Sequence, residues 1–278
     1  MKLSKRTSEQ LASGIKRFQP VIANAKARDV NESDTAIIVT DILADCFGYD
    51  KYSEITSEFS IRGTYCDLAI KLEGKPRLLI EVKPIGGELK EAHTKQAVDY
   101  AANQGIEWVL LTNAVSWRAY RVEFTQPISQ ELVLEFDFTT LEARKTDHLE
   151  LIGLLTKEGL TKSGLDDYRE QRQAMSRYFL GAMVLSDSIL DVVRRELRRV
   201  SPGVKIETEE IRAVLEQEVI KRDVLEGDRA LEAKKKISRS QNRPLRTAKK
   251  PDEPESPIPS ATTPAVTPVE TIPPITQA

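Results

Sequence analysis

The sequence predicts a mixed α/β core followed by a purely helical extension. Two observations carry this fold class. Up to about residue 137 helical and strand periodicities alternate, and from about residue 142 onward the pattern is helical only. A third observation narrows the setting: none of the 278 residues belongs to an apolar run of 18, so no membrane span is expected.

Taken in order, residues 7–27 and 32–47 read as helices. In the second, Ile38, Ile42, Leu43 and Cys46 recur at helical spacing, and Asn31 stands where an N-cap belongs. Gly48-Tyr49-Asp50 breaks that pattern. Strands are expected at about 54–61, 65–72, 77–83, 107–112, 116–123 and 131–137, with Gly74-Lys75-Pro76 turning the second into the third. A helix over about 88–103 interrupts the series and ends near Gly105, and Trp108 and Trp117 are expected to fill the core behind the sheet.

Further helices are expected at about 146–157, 164–199 (with a break near Ser186) and 207–236. In the last of them Ile211, Leu215 and Val219 recur every four residues and predict one apolar stripe. The final 40 residues hold nine of the 14 prolines among Ser, Thr and Glu, a composition that cannot bury enough apolar surface to offset chain entropy. The expected organisation is an α/β core over 1–140, a helical extension over 141–238 and a disordered tail over 239–278.

Composition removes some function classes. A net charge of −2 excludes a globally basic nucleic-acid-binding body and leaves only local patches. Arg194-Arg195 and Arg198-Arg199 recur at i, i+4, with Lys234-Lys235-Lys236 and Lys249-Lys250 beyond them. A solvated helix face paired with Asp191 and Glu196 is the favoured reading of the arginines, and phosphate binding is the competing one. Cys46 and Cys66, 20 residues apart with only His93 and His148 to join them, lack zinc-site spacing. They read as part-buried reduced thiols, and with no apolar leader in the first 20 residues a cytoplasmic protein is expected.

The residues that could carry chemistry lie at one end of the strand pair. Asp67 falls opposite the apolar alternation of Leu68, Ile70 and Leu72, and Glu81 and Lys83 close the apolar run Leu78-Leu79-Ile80. A tight turn makes these strands neighbours, so Asp67 and Glu81 are expected side by side. Adjacent carboxylates both stay ionised only with a cation between them, and hard oxygen donors in that number suit Mg²⁺. The spacing alone is weak evidence in a chain with 43 acidic residues. A charged pair closing a buried strand carries more weight, because it is costly without a partner. On the following helix Gln96 and Tyr100 share a face at i, i+4; the competing reading is simple packing of Ala97, Tyr100 and Ala101 on the sheet. His93 reads as a surface or packed residue rather than a base.

As an ordered set, Asp67, Glu81-Val82-Lys83 and Gln96-x-x-x-Tyr100 resemble the PD-(D/E)xK nuclease superfamily. More narrowly they resemble the N-terminal nuclease domain of type I restriction enzyme R subunits, through LADCFGYD, EFSIRGTYCDLAI, LLIEVKP, QAVDYA and VLLTNAVSWRAYRV, over roughly residues 30–125. The resemblance implies a restriction-endonuclease-like mixed sheet flanked by helices. It implies Mg²⁺, with Mn²⁺ as a substitute, held by Asp67, Glu81 and the Val82 carbonyl, and Lys83 at the reaction centre. Gln96 and Tyr100 would order the site or the DNA, and Glu32, with Asp34 as the alternative, would supply a first-helix carboxylate. The carboxylates at 32 and 34 are equally explained by the helix dipole.

The implied activity is endonucleolytic hydrolysis of DNA in restriction-modification or related DNA processing. RNA stays open as a substrate. No G-x₄-G-K-[ST] motif occurs, so the ATP-driven motor is missing and the likeness is to free-standing relatives. The reading from another class is a non-catalytic nuclease-fold module that binds DNA or a protein partner, or that self-associates through the C-terminal helices.

Overall fold

A computed structural model describes residues 2–61 and 64–241. Helix α1 (Lys5–Ala27) begins at Ser4, whose side chain accepts the Thr7 N–H, and it buries Leu11, Ile15, Phe18, Ile22 and Ala25 at three- and four-residue steps. Helix α2 (Glu32–Asp41) is capped by the Asn31 side chain, which accepts the Asp34 N–H, and it runs into a π-helical turn over Ile42–Cys46. That turn buries Ile42, Leu43 and Cys46 against α1. A Cβ on Gly14 would overlap Cys46 Sγ, so a residue with no side chain is what permits the approach.

Six strands follow: β1 (Ile55–Ile61), β2 (Thr64–Leu72), β3 (Lys75–Val82), β4 (Trp108–Thr112), β5 (Ser116–Glu123) and β6 (Ser129–Asp137). They form one sheet in sequence order, antiparallel everywhere except the parallel pair β3–β4. A parallel pair needs a crossover, which is helix α3 (Glu91–Gln104). From Leu78 to Val82 every residue of β3 is buried. Leu78, Ile80 and Val82 pack in the cluster that includes α1 and the π turn; Leu79 packs with Ala97, Val98 and Ala101 of α3. Helices thus cover both faces of a mixed sheet. Trp108 and Trp117 both enter the larger cluster, where Phe47 meets Trp117 edge-on at 5.5 Å between ring centres.

The helical half departs from its expected lengths. The segment read as one helix over 146–157 is α4 (Thr146–Gly153) and α5 (Lys157–Thr161), because Thr156 turns its hydroxyl onto the Gly159 N–H and starts a new helix. The 164–199 segment is three helices: α6 (Gly164–Ala174), α7 (Arg177–Val184) and α8 (Asp187–Val200). The break at Ser186 is the expected one. The other is at Ser176, whose hydroxyl caps the Phe179 N–H.

The 207–236 segment is α9 (Thr208–Val214), a π-helical turn (Leu215–Val219), α10 (Arg222–Leu225) and α11 (Asp228–Gln241), with Gly227 at φ +89° ahead of the last. The expected stripe fails for the same reason. A π turn shifts the angular register, so Ile211 is buried while Val219 is 64% exposed.

The first core does not stop at residue 140. Ile152, Leu154, Leu155 and Leu165 belong to it, and the Tyr49 hydroxyl donates to the Leu155 carbonyl at 2.8 Å. Farther on, Ala182, Ala233 and Ile237 make a small separate cluster between α7 and α11. The expected tail starts inside α11, which continues to Gln241; residues 242–278, with all nine tail prolines and Lys249-Lys250, lie outside the described residues. Among the described residues no helix is long and apolar enough to cross a membrane.

Candidate active site

The β2–β3 pairing runs Ile70 with Leu78, Ala69 with Leu79 and Leu68 with Ile80. The next rung would set Asp67 across from Glu81. In its place the Asp67 side chain takes over a main-chain role: Oδ2 accepts the Val82 N–H at 2.7 Å. β3 leaves the sheet at Lys83, whose N–H donates to the Thr112 carbonyl at 2.8 Å.

The loop that follows is held from β4 and β5. Asn113 Nδ2 donates to the carbonyls of Ile85 and Gly87, and Arg118 Nη1 donates to that of Leu89 at 2.9 Å. The strand end and its loop are therefore fixed before any ligand arrives.

Lys83 Nζ lies 2.8 Å from Glu81 Oε1 and 3.5 Å from Glu32 Oε2. Glu81 is only 3% exposed, and its second oxygen, Oε2, is buried without a hydrogen-bond partner. An oxygen in that state is costly, and it is where a further positive group would be most stabilised. Burial pushes the Glu81 carboxyl above its usual range, the Lys83 ammonium opposes that rise, and the Asp67 charge adds to it.

Burial is also the main cause that lifts Asp67; the Val82 N–H and Lys83 oppose it and Glu32 adds to it. On Lys83 burial works against the charge, but the bond to Glu81 and the charges of Glu81, Glu32 and Asp67 outweigh it and keep the ammonium protonated.

The sequence-predicted residues fall into two groups. Glu32, Glu81 and Lys83 converge within ion-pairing distance, and Asp67 adjoins them through Val82. Asp34, the alternative to Glu32, is exposed, with its N–H on Asn31. Gln96 and Tyr100 bond to each other, Nε2 to hydroxyl at 2.9 Å; Gln96 is exposed, while half-buried Tyr100 packs with Ala97 and Ala101 in the cluster between α3 and the sheet, as the competing reading expected.

His93, expected as a surface or packed residue rather than a base, stands close enough to feel the Lys83 charge. It is half-buried in the first turn of α3, and its Nδ1 accepts the Lys90 N–H at 3.3 Å. Burial, then the charges of Lys83 and Lys90, hold its pKa below the usual value. A neutral imidazole with Nδ1 engaged carries its proton on Nε2. No spacing rule links residue 93 to residue 83; only the fold of the loop between them does.

Among the described residues no three His, Cys, Asp or Glu side chains are grouped so as to hold a metal ion. What the site offers is one orphaned Glu81 oxygen and the adjoining Asp67 carboxylate; one or two carboxylates are the number of protein ligands with which Mg²⁺ retains waters. Both cysteines are buried and free, with their thiols pushed up to about 12, chiefly by burial, so neither is a nucleophile at neutral pH. Comparison of the chain with protein families, curated proteins and solved structures finds no match.

Proposed function

We propose that the chain is a Mg²⁺-dependent nuclease that hydrolyses DNA phosphodiester bonds at Asp67, Glu81 and Lys83. The observation that carries this reading is Glu81 Oε2, a buried carboxylate oxygen with no partner, beside a second carboxylate and an ammonium. A purely structural ion pair gains nothing from leaving that oxygen unsatisfied. When bound, the divalent ion supplies Lewis acidity toward a phosphate oxygen and lowers the pKa of a water.

The protein's own contribution is positional. Asp67, fixed by Val82, and Glu81, fixed by Lys83, would hold the ion. Lys83, held between Glu81 and Glu32, can donate to the attacking water or to a phosphate oxygen as negative charge develops. His93 Nε2–H, within reach of the Lys83 charge, would be a second donor and an uncharged one.

The test is incubation of supercoiled plasmid, single-stranded DNA and a branched substrate with Mg²⁺ or Mn²⁺ against EDTA. Wild type should cut in metal only, and Lys83→Met and Asp67→Asn should each lose about 100-fold or more in rate. One observation favours a second reading, a nuclease-fold module that binds without cutting: the lack of a three-carboxylate group among the described residues. Wild type that binds DNA but never cuts it, with binding unchanged in Asp67→Asn, would establish that reading.

A further inference from the structure

The charged cluster opens into a cleft of about 480 Å³ between α2 and the start of β1, and Glu32 and Asp67 belong to both. The volume falls within the roughly 300–1,000 Å³ of small-ligand clefts. Most of the remaining lining is uncharged, with Ala36, Ile37 and Thr40 on α2 and Ile55 and Leu68 on the sheet. The cation in the lining, Lys51, is already paired to Asp41 at 2.7 Å. A phosphate entering here would meet two carboxylates and no spare positive charge. A flat neutral group would meet an apolar slot.

At the rim stands Tyr52, 94% exposed. Its ring is displayed by a stiff turn. Asp50 Oδ1 accepts from Tyr52 N at 3.1 Å and from Ser53 N and Oγ at 2.7 Å each, and the Asp50 N–H donates to Glu54 Oε2 at 2.9 Å. The Lys51–Asp41 pair ties the same turn to the end of α2. An aromatic ring exposed to water on a hydrogen-bonded turn adds little burial to the fold, and its faces are available for stacking.

We propose that this cleft receives an unpaired nucleobase next to the scissile phosphate, with Tyr52 as its stacking platform, so that the chain selects single-stranded or flipped-out nucleotides over paired ones. The inference rests on the nuclease reading for the identity of the strand. A base inside a duplex has both faces covered by its neighbours and cannot reach the ring.

The test measures binding in Ca²⁺, so that it does not depend on cutting. The probes are a labelled 12-nucleotide single strand carrying 2-aminopurine and the same sequence as a blunt duplex. Wild type should bind the single strand more tightly and quench the 2-aminopurine. Tyr52→Ala should weaken single-strand binding roughly 5- to 150-fold and abolish the quench, and Tyr52→Phe should restore both.

Equal affinity of wild type and Tyr52→Ala for the single strand, or duplex binding as tight as single-strand binding, would overturn the cleft assignment. Cleavage by wild type is scored separately with Mg²⁺. Cutting with Tyr52-independent binding removes the cleft and leaves the nuclease reading. Tyr52-dependent binding without cutting does the reverse.

Discussion

Helix α8 and the end of β3 are both dense in charge, and they use it in opposite ways. On α8, Arg194 pairs with Asp191 at 3.0 Å and Arg199 with Glu196 at 3.2 Å, while Arg198 reaches across to Glu207 at 3.6 Å. Arg198 and Arg199 are exposed and Arg194 half-exposed, and each such pair near water contributes at most about 1 kcal/mol. At the end of β3 the Lys83 ammonium pairs with the buried Glu81 and, at 3.5 Å, with Glu32, while one Glu81 oxygen is unsatisfied and Asp67 adjoins. The difference teaches that the number of charges says little about a site. Their dielectric surroundings and their incomplete pairing say more.

The contrast can be broken most sharply at Lys83. Lys83→Ala leaves Glu81 buried without its cation, and urea unfolding in EDTA at neutral pH should show a loss of about 3–5 kcal/mol. A loss under about 1 kcal/mol would mean that the pocket is as wet as the face of α8. Next in size, the double variant Glu81→Met with Lys83→Met removes both desolvated charges; its unfolding free energy should equal wild type or exceed it by about 1–4 kcal/mol, with cleavage gone.

A smaller effect separates two glutamates by pH. Burial raises the folded-state pKa of Glu81 and of Asp67 above the ordinary 4.5 and 3.8, so the folded chain binds more protons than the unfolded one just above those values. In metal-free protein their contribution to stability is largest at low pH and declines as pH rises through the raised values. Glu158 has the opposite sign: its bonds from Lys162, Thr7 and Ser4 hold it near about 2, so its contribution is present above 4.5 and is lost as pH falls. Urea midpoints between about pH 3 and pH 7 should lose the rising-pH decline in Asp67→Asn with Glu81→Gln, and lose the low-pH decline in Glu158→Gln. Smallest of all, Arg195→Ala with Arg199→Ala should cost under about 1 kcal/mol in the same assay.

Much of the first half was legible in the chain because its signals are local. Alternation marks the strands, the run from Leu78 to Val82 marks a strand buried on both sides, and Asn31 marks a helix start. The convergence of Glu81 and Lys83 follows from a two-residue step at the end of such a strand. The helical half was less legible, because its breaks come from single hydroxyls. Ser176 and Thr156 resemble ordinary helix residues until their side chains are seen capping an N–H. The π turns at Ile42–Cys46 and Leu215–Val219 leave no compositional trace, and the second of them misdirected the stripe through Val219. His93 and Tyr52 were hidden for other reasons: His93 meets the site through a loop held from distant Asn113, and Tyr52 stands on a turn that Asp50 organises locally but that no spacing connects to the cleft.

The bond from Val82 N–H to Asp67 makes that aspartate part of the carpentry of the sheet, since it occupies the place a neighbouring strand's carbonyl would fill. The side chain of Lys83 makes no such main-chain bond; its structural part is to neutralise the buried Glu81. In a related chain without chemistry, the aspartate would be retained for as long as the strands had to stay latched, while Glu81 and Lys83 could be lost together. An aspartate at 67 is therefore a poor witness to catalysis in any such chain, and the Glu81–Lys83 pair taken together is the better one to question.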